Sequence, residues 1–508
     1  MEANGRRSAI PVAVFLAVFT ALACARFAGP GPYGLDASYY TQMARHVAQG
    51  EGLTSTVSLY LGGYILPSRA NVNPVLPLLL GYTGRIIGLE LAINVVPKIF
   101  YVLDLLLLYL LARVISTRLG VPSRAPAFLI AAAFGTSAVF YSVTTHPYRE
   151  SPAYFFGPLA LLSLHRYLET RRLLWAGAAG LATALAFLSR VEMAGIAIAV
   201  GIVLLARKEL RALAIYVITT LPLIVLWWMH LGYAPGLGFS WDPPPSLSLP
   251  RSHLALPSMT AGERFADIVS AALTAFRVGH DESYTRVFGI AALLVPIAGI
   301  VLLWRAYKSG RTGRHTPDIV DATLLTGLFC MAGLLLKRSD FIHFLFGWRY
   351  GLTLVFLLVV AVPYLMRSPA KSVRIATVAV LAISILTGAM NVYAFIRGPL
   401  PSYTRAERAL LDWLNAQADP MIVTTRAQTL SVGTDTLIHA TTCNTPPVTT
   451  REMLRLFPVD YVIVYDHERR CTFTEGLGQE LRVSRAFGAG ADRIYALERR
   501  AANGSRAR

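Results

Sequence analysis

Two carboxylates and a few basic residues at the ends of apolar stretches are the side chains in this sequence with chemistry to offer. Asp36 follows the first long apolar run, with Tyr39 and Tyr40 close behind it and a Gly50-Glu51-Gly52 turn closing the segment. Glu150 stands beside Arg149 at the head of another apolar run, and Arg190 and Glu192 fall in a short turn between two more. Lys337 and Arg338 end one such run, and Arg349 with Tyr350 begins another. A carboxylate within hydrogen-bond reach can take the proton of an attacking hydroxyl. Fixed cations in a partly dehydrated cleft stabilise the charge that grows on a departing anion. Each residue also has a plainer reading: Asp36 as a helix cap, Glu150 as a partner of a helix dipole, Arg190 with Glu192 as a local ion pair, and Lys337 and Arg338 as snorkelling side chains.

The composition says what kind of scaffold must position these groups. Of 508 residues, 55% are hydrophobic and 15% charged, against about 45–50% and about 25% in soluble domains, and mean hydropathy is +0.51. Apolar stretches near the roughly 20 residues that cross a bilayer recur at 9–27, 94–112, 126–143, 151–167, 173–189, 192–206, 212–231, 287–304, 319–336, 350–366 and 373–394. The sequence therefore predicts an all-α polytopic membrane bundle of about eleven transmembrane helices.

Charge gives that bundle an orientation. Eighteen bases, among them Arg6, Arg113, Arg171, Lys208, Arg311 and Arg374, fall on one side, whereas the short loops opposite hold Arg149, Arg190, Lys337, Arg338 and Arg349. The positive-inside rule places the N-terminus in the cytoplasm and the C-terminus outside. Much of the formal net charge of +18 is thereby topology, which argues against a nucleic-acid partner. Arg6-Arg7, the following apolar run and Ala23-Cys24-Ala25 also satisfy the three regions of a signal peptide. Under either reading the next segment emerges on the outer face.

Three external segments are too long for tight connections: about 28–93, about 232–286 and the tail. The expected division is a transmembrane unit at 1–396 and an extracytoplasmic α/β domain at 397–508. Within the first loop, Ser38–Gln49 reads as a juxtamembrane helix lying in the interface, with Tyr39, Met43 and Val47 on one face. In the tail, helices at 404–417 and near 451–456 alternate with strands at 421–425, 461–465 and 493–497, the pattern of a small layered sheet. Cys443 and Cys471 both fall in this tail, where an oxidising compartment permits a disulfide; two unrelated thiols are the alternative.

The stretch GPGPYGLDASYYTQMARHVAQGEGLT, residues 29–54, resembles the first external loop of the GT-C glycosyltransferases. These polytopic enzymes use polyprenyl-phosphate sugars and include aminoarabinose transferases, protein O-mannosyltransferases and Rgt-like enzymes. Asp36 matches the acid of that loop, while Ala37 stands where a second acid is usual. NVNPVLPLLLGYTGRIIG (71–88) resembles the family's Pro-containing approach to the second span, Glu150 its acid at the start of the fourth, and Arg349-Tyr350 its Arg-Tyr signature before the tenth.

The resemblance implies an enzyme that moves a sugar, by inverting single displacement, from a polyprenyl-phosphate donor to a lipid, glycan or protein acceptor on the external face of a bacterial-type inner membrane. Asp36 is then the base and Arg349 the leading phosphate ligand, with Arg149, Arg190, Lys337 and Arg338 behind it. Glu150, Tyr39 and Tyr350 are further substrate contacts. Members differ in metal dependence, so a divalent cation stays open, with Asp36 and Glu150 as its candidate ligands. No Gly-rich phosphate loop at a strand-helix junction is present, which disfavours a nucleotide sugar. The alternatives are a transporter or flippase of lipid-linked saccharides, which would use mid-span charges such as Asp104, and a membrane polysaccharide polymerase.

Overall fold

The computed structural model describes residues 2–26, 35–58, 68–69, 73–121, 123–230, 299, 301, 316–337, 349–398, 402–418, 420–440, 454, 459–468 and 480–499. The bundle comprises α1 (Glu2–Cys24), α4 (Leu89–Arg118), α5 (Ala125–Gly135), α6 (Ala138–Thr145), α7 (Glu150–Thr170), α8 (Leu173–Ser189), α9 (Ala194–Ala206), α10 (Leu210–His230), α11 (Ile319–Lys337), α12 (Val355–Met366) and α13 (Lys371–Arg397). Two further helices of the first loop, α2 (Leu35–Gln49) and α3 (Val75–Ile87), lie between α1 and α4 in the chain.

Apolar segments of the sequence become helices, but eleven full spans do not follow from them. Among the described residues, three helices are long and apolar enough to cross a membrane: Leu89–Arg118, Leu210–Trp227 and Lys371–Arg397. The stretch 126–143 is a broken pair, α5 and α6, bent by 68°. The break falls at Thr136-Ser137, where the Ser137 hydroxyl accepts the Phe140 N–H and so caps α6. A Cβ on Gly388 of α13 would sit 2.5 Å from the Thr136 carbonyl oxygen, so the break also lets α13 approach closely. The stretch 287–304 lies outside the described residues except at 299 and 301.

Polar ties hold the bundle where apolar packing alone gives little direction in lipid. The Tyr101 hydroxyl donates to the Gly135 carbonyl at 2.7 Å, Tyr141 to Leu22 at 3.0 Å, and Tyr216 to the Thr183 hydroxyl at 3.1 Å. Large apolar side chains such as Ile218, Leu226, Ile375 and Leu386 point outward, as a lipid-facing surface requires. The protein is an integral membrane protein.

Outside the bundle, β1 (Thr54–Ser55) pairs antiparallel with β3 (Ser68–Arg69). A six-stranded sheet has the order β2 (Val57–Ser58), β5 (Leu437–Ala440), β4 (Met421–Thr424), β6 (Tyr461–Tyr465), β8 (Ile494–Arg499) and β7 (Leu481–Phe487). Its first four strands run parallel, and β8 and β7 are antiparallel additions. Helix α14 (Arg405–Asn415), opened by a capping box between Thr404 and Glu407, precedes it, and the single turn α15 (Ala427–Leu430) links β4 to β5.

The sheet departs from the sequence reading at its edge. Strand β2 comes from the first external loop, and α2 lies in the same hydrophobic core as the tail, with Tyr40, Met43, Leu80, Leu410, Ile422 and Ile463 in one cluster. The juxtamembrane helix therefore begins three residues earlier than expected and is packed between α3 and the tail instead of lying open in the interface. A Cβ on Gly81 of α3 would meet Val47 at 2.5 Å, so glycine is what allows α3 and α2 this approach.

Candidate active site

Buried charges gather where α7 begins and α8 ends. Arg149 caps α7 and Glu150 occupies its first turn. Arg190 follows α8 in extended conformation before a 3-10 turn, Val191–Met193, leads into α9. The Arg190 side chain is fully buried; its Nη1 donates to Glu150 Oε1 at 2.5 Å and its Nε to Glu192 Oε2 at 3.3 Å. Glu150 is equally enclosed. The pair with Glu192 was legible as a local contact, whereas the bond to Glu150 closes 40 residues of chain.

Arg149 extends this network toward the first loop. Its Nη1 donates to Asn73 Oδ1 at 2.9 Å, and the Asn73 amide reaches the Phe187 carbonyl of α8 at 3.4 Å. Burial opposes the charge of Arg149, but Tyr40, Glu150 and Glu192 outweigh burial and Arg190, so its pKa is raised and the guanidinium stays charged.

Asp36 lies in the first turn of α2 and is partly exposed. Its neighbour Ala37 packs with Ile93 of α4 and Tyr148, two residues before Glu150. Tyr40, one turn beyond Asp36 on the same helical face, acts on Arg149. The start of α2 is thus held against the turn that carries Arg149 and Glu150. Tyr39, like Tyr40, is buried in the core shared with the tail, where burial raises its pKa and the hydrogen bond with the Ser55 side chain partly offsets it.

The remaining candidates are placed only in part. Lys337 ends α11, and Arg349 with Tyr350 opens a 3-10 turn, Arg349–Leu354, that packs against α11 and α6; the side chains of all three lie outside the described set. Arg338, Cys443 and Cys471 lie outside the described residues altogether, and with them the disulfide the sequence permits. Among the described residues no group of three or more His, Cys, Asp or Glu side chains is placed to hold a metal ion.

A basic cluster escaped the sequence reading. Arg26 donates to the Phe395 carbonyl and lies 4.6 Å over the Phe395 ring. His146 meets the same ring edge-on at 5.6 Å, and Lys98 is buried on α4. Burial chiefly pulls His146 down to about 4; its bond to the Ser142 carbonyl works the other way, while Arg26 and Lys98 add to the depression. The signal available in sequence was position: Arg26 directly follows α1, and His146 directly precedes the Arg149-Glu150 turn. The arrangement collects positive charge around His146, three residues before Arg149.

Residues 71–239, about a third of the chain, match the family of dolichyl-phosphate-mannose-protein mannosyltransferases. Curated protein sequences give no match. Among solved structures, ArnT from Cupriavidus metallidurans bound to undecaprenyl phosphate aligns over 96% of this chain and 98% of its own, with TM-score 0.53 and 11% identity. The archaeal oligosaccharyltransferase AglB from Archaeoglobus fulgidus, in complex with an inhibitory peptide and a dolichol-phosphate, aligns over 89% of this chain and 69% of its own, with TM-score 0.51 and 12% identity. The mycobacterial arabinofuranosyltransferase AftD gives TM-score 0.54 at 17% identity; the alignment covers 97% of this chain but only 40% of AftD. At such identities the likeness is one of fold.

Proposed function

We propose that the protein is a membrane glycosyltransferase that moves a sugar from a polyprenyl-phosphate donor to an acceptor on the external face of a bacterial inner membrane. The observation that carries this reading is the seating of the Asp36 turn against the Tyr148–Glu150 turn, within a fold shared with lipid-phosphate-dependent transferases. The excess of bases on one side of the bundle supports an N-terminus in the cytoplasm and a C-terminus outside. Residues 1–396 are taken as the transferring unit and 397–508 as its external cover.

In the proposed step an acceptor hydroxyl attacks the anomeric carbon as Asp36 takes its proton. The bond from that carbon to the phosphate oxygen breaks, and the phosphate leaves with both electrons. Arg149 and Arg349 hold the growing charge. A single displacement of this kind inverts the anomeric centre. Arg190 serves differently: held by Glu150 and Glu192, it fixes the turn from which Arg149 projects. A divalent ion would have to draw on Asp36, because the Glu150 carboxylate is engaged by Arg190, and no step is routed through one.

Purified protein in lipid, given a radiolabelled polyprenyl-phosphate sugar and extracted envelope lipids and glycans as acceptors, tests the proposal. Labelled acceptor and free polyprenyl phosphate are the expected products. Failure to consume any donor would move the weight to transport, for which Asp104, fully buried in α4, is the residue to substitute.

A further inference from the structure

At the end of α7 far from Glu150, two short connections lie together: residues 171–172 between α7 and α8, and residues 207–209 between α9 and α10. Gly177 of α8 faces Ile215 of α10, and the Gly180 carbonyl accepts the Thr220 hydroxyl at 3.0 Å. Helices α8 and α10 therefore run parallel in contact and begin at the same level. The connections are also tied to each other. Glu209 accepts from the Arg171 guanidinium and, at 2.8 Å, from the Tyr167 hydroxyl. Glu169, near the end of α7, is spent on Arg118, His165 and Arg166 at 3.2 to 3.5 Å.

Three bases of the same region take no part in these ties. The side chains of Arg172, Lys208 and Arg211 are exposed and have no hydrogen-bond or ion-pair partner among the described residues. Leu174 and Leu210 stand beside them, 78% and 63% exposed. Arg211 heads a stripe that Ile218, Leu221 and Val225 continue outward at helical spacing, on a helix long and apolar enough to cross a membrane. Membrane orientation accounts for bases at this end. It does not account for two carboxylates drawn inward while three bases stay open beside exposed leucines.

We infer that these connections form a binding site for an anionic phospholipid of the leaflet that meets this end of the bundle. Arg172, Lys208 and Arg211 hold its phosphate at headgroup depth, and its acyl chains lie along Leu174 and the outward stripe of α10. Inorganic phosphate or an acidic protein would meet the bases and leave the leucines unmatched, whereas a lipid matches both. The inference stands apart from the transfer reaction and is read by binding alone.

Full-length protein carrying p-benzoylphenylalanine in place of Leu174 tests it by photocrosslinking in vesicles of equal phosphatidylglycerol and phosphatidylcholine with the same acyl chains. Adducts are identified by mass. Phosphatidylglycerol adducts are expected to outnumber the others by at least about fivefold, the gain that one base brings near an anionic surface. The ratio should fall in each of Arg172→Gln, Lys208→Gln and Arg211→Gln, approach one when the three are combined, and hold in Arg374→Gln on α13. Excess inorganic phosphate at constant ionic strength should leave it unchanged. Melting temperatures followed in parallel should stay level, since all three bases are exposed, and the single variants keep the test readable if the triple one folds poorly. Adducts in equal amounts without the base substitutions, enrichment that survives all three, displacement by inorganic phosphate, or a protein adduct in place of lipid in native membranes would each overturn the assignment.

Discussion

Arg190 and Arg45 perform similar chemistry in two regions of opposite character. Arg190, in the bundle, has a fully buried side chain clasped by two carboxylates. Arg45, on α2, is 23% exposed; it donates to the carbonyls of Ser431, Val432 and Thr434 at 2.8 to 3.3 Å and lies 3.1 Å from Asp435, itself 63% exposed. The first fixes one part of the bundle to another. The second fixes the helix of the candidate base to the tail, with the pairing of β2 to β5 beside it. Burial, more than the number of bonds, sets what each is worth, because desolvated charges are costly to orphan while exposed ones are screened.

Removing Arg190 is expected to have the largest effect. Arg190→Ala leaves Glu150 and Glu192 buried without their cation, and a loss of about 3–5 kcal/mol of stability is expected, read as thermal unfolding in detergent. Adding Glu150→Gln and Glu192→Gln to that background should restore part of it. Stability unchanged in Arg190→Ala would contradict the account of the bundle.

Acid sharpens the bundle side further. His146 has its pKa at about 4 against an ordinary 6.5, so the unfolded chain binds the extra proton first. Its contribution to stability is therefore full above about pH 6.5 and is lost as pH falls toward about 4, at about 1.4 kcal/mol per pH unit at most. His146→Gln should flatten this slope in an unfolding series across that range; an unchanged slope would place the titration elsewhere.

On the other side of the comparison, Gly81→Ala should cost about 1–3 kcal/mol of stability by overpacking Val47. Arg45→Ala should do less to folding and more to turnover: kcat is expected to fall about tenfold, near 1.4 kcal/mol, with donor KM little changed and partial rescue by Arg45→Lys. A purely structural Arg45 would instead lower the melting temperature and leave kcat per folded molecule alone.

How much of this was legible in sequence depended on distance along the chain. Helix α2, the placement of Glu150 at the head of α7, and strands β4, β6 and β8 follow local patterns of apolar and polar residues, and the structure has them close to where those patterns put them. Strand β2 has only two residues, too few for any alternation to register, and its partner β5 lies some 380 residues on. Strand β7 is buried only at its two ends, Leu481 and Phe487, so it carries no inside–outside rhythm. The clasp of Arg190 by Glu150 had no local signature, whereas Arg190 with Glu192 did. The kink at Thr136-Ser137 contains no proline; the Ser137 cap of α6 and the approach of Gly388 give it a reason.

The central claim is that the carboxylate at the head of α2 takes the proton of an acceptor during sugar transfer. Asp36→Asn keeps the size of the side chain and removes the base. In lipid with labelled polyprenyl-phosphate sugar, its transfer rate is expected to fall about 10²- to 10⁴-fold, with donor binding and melting temperature preserved. Transfer that continues undiminished in Asp36→Asn would contradict the account.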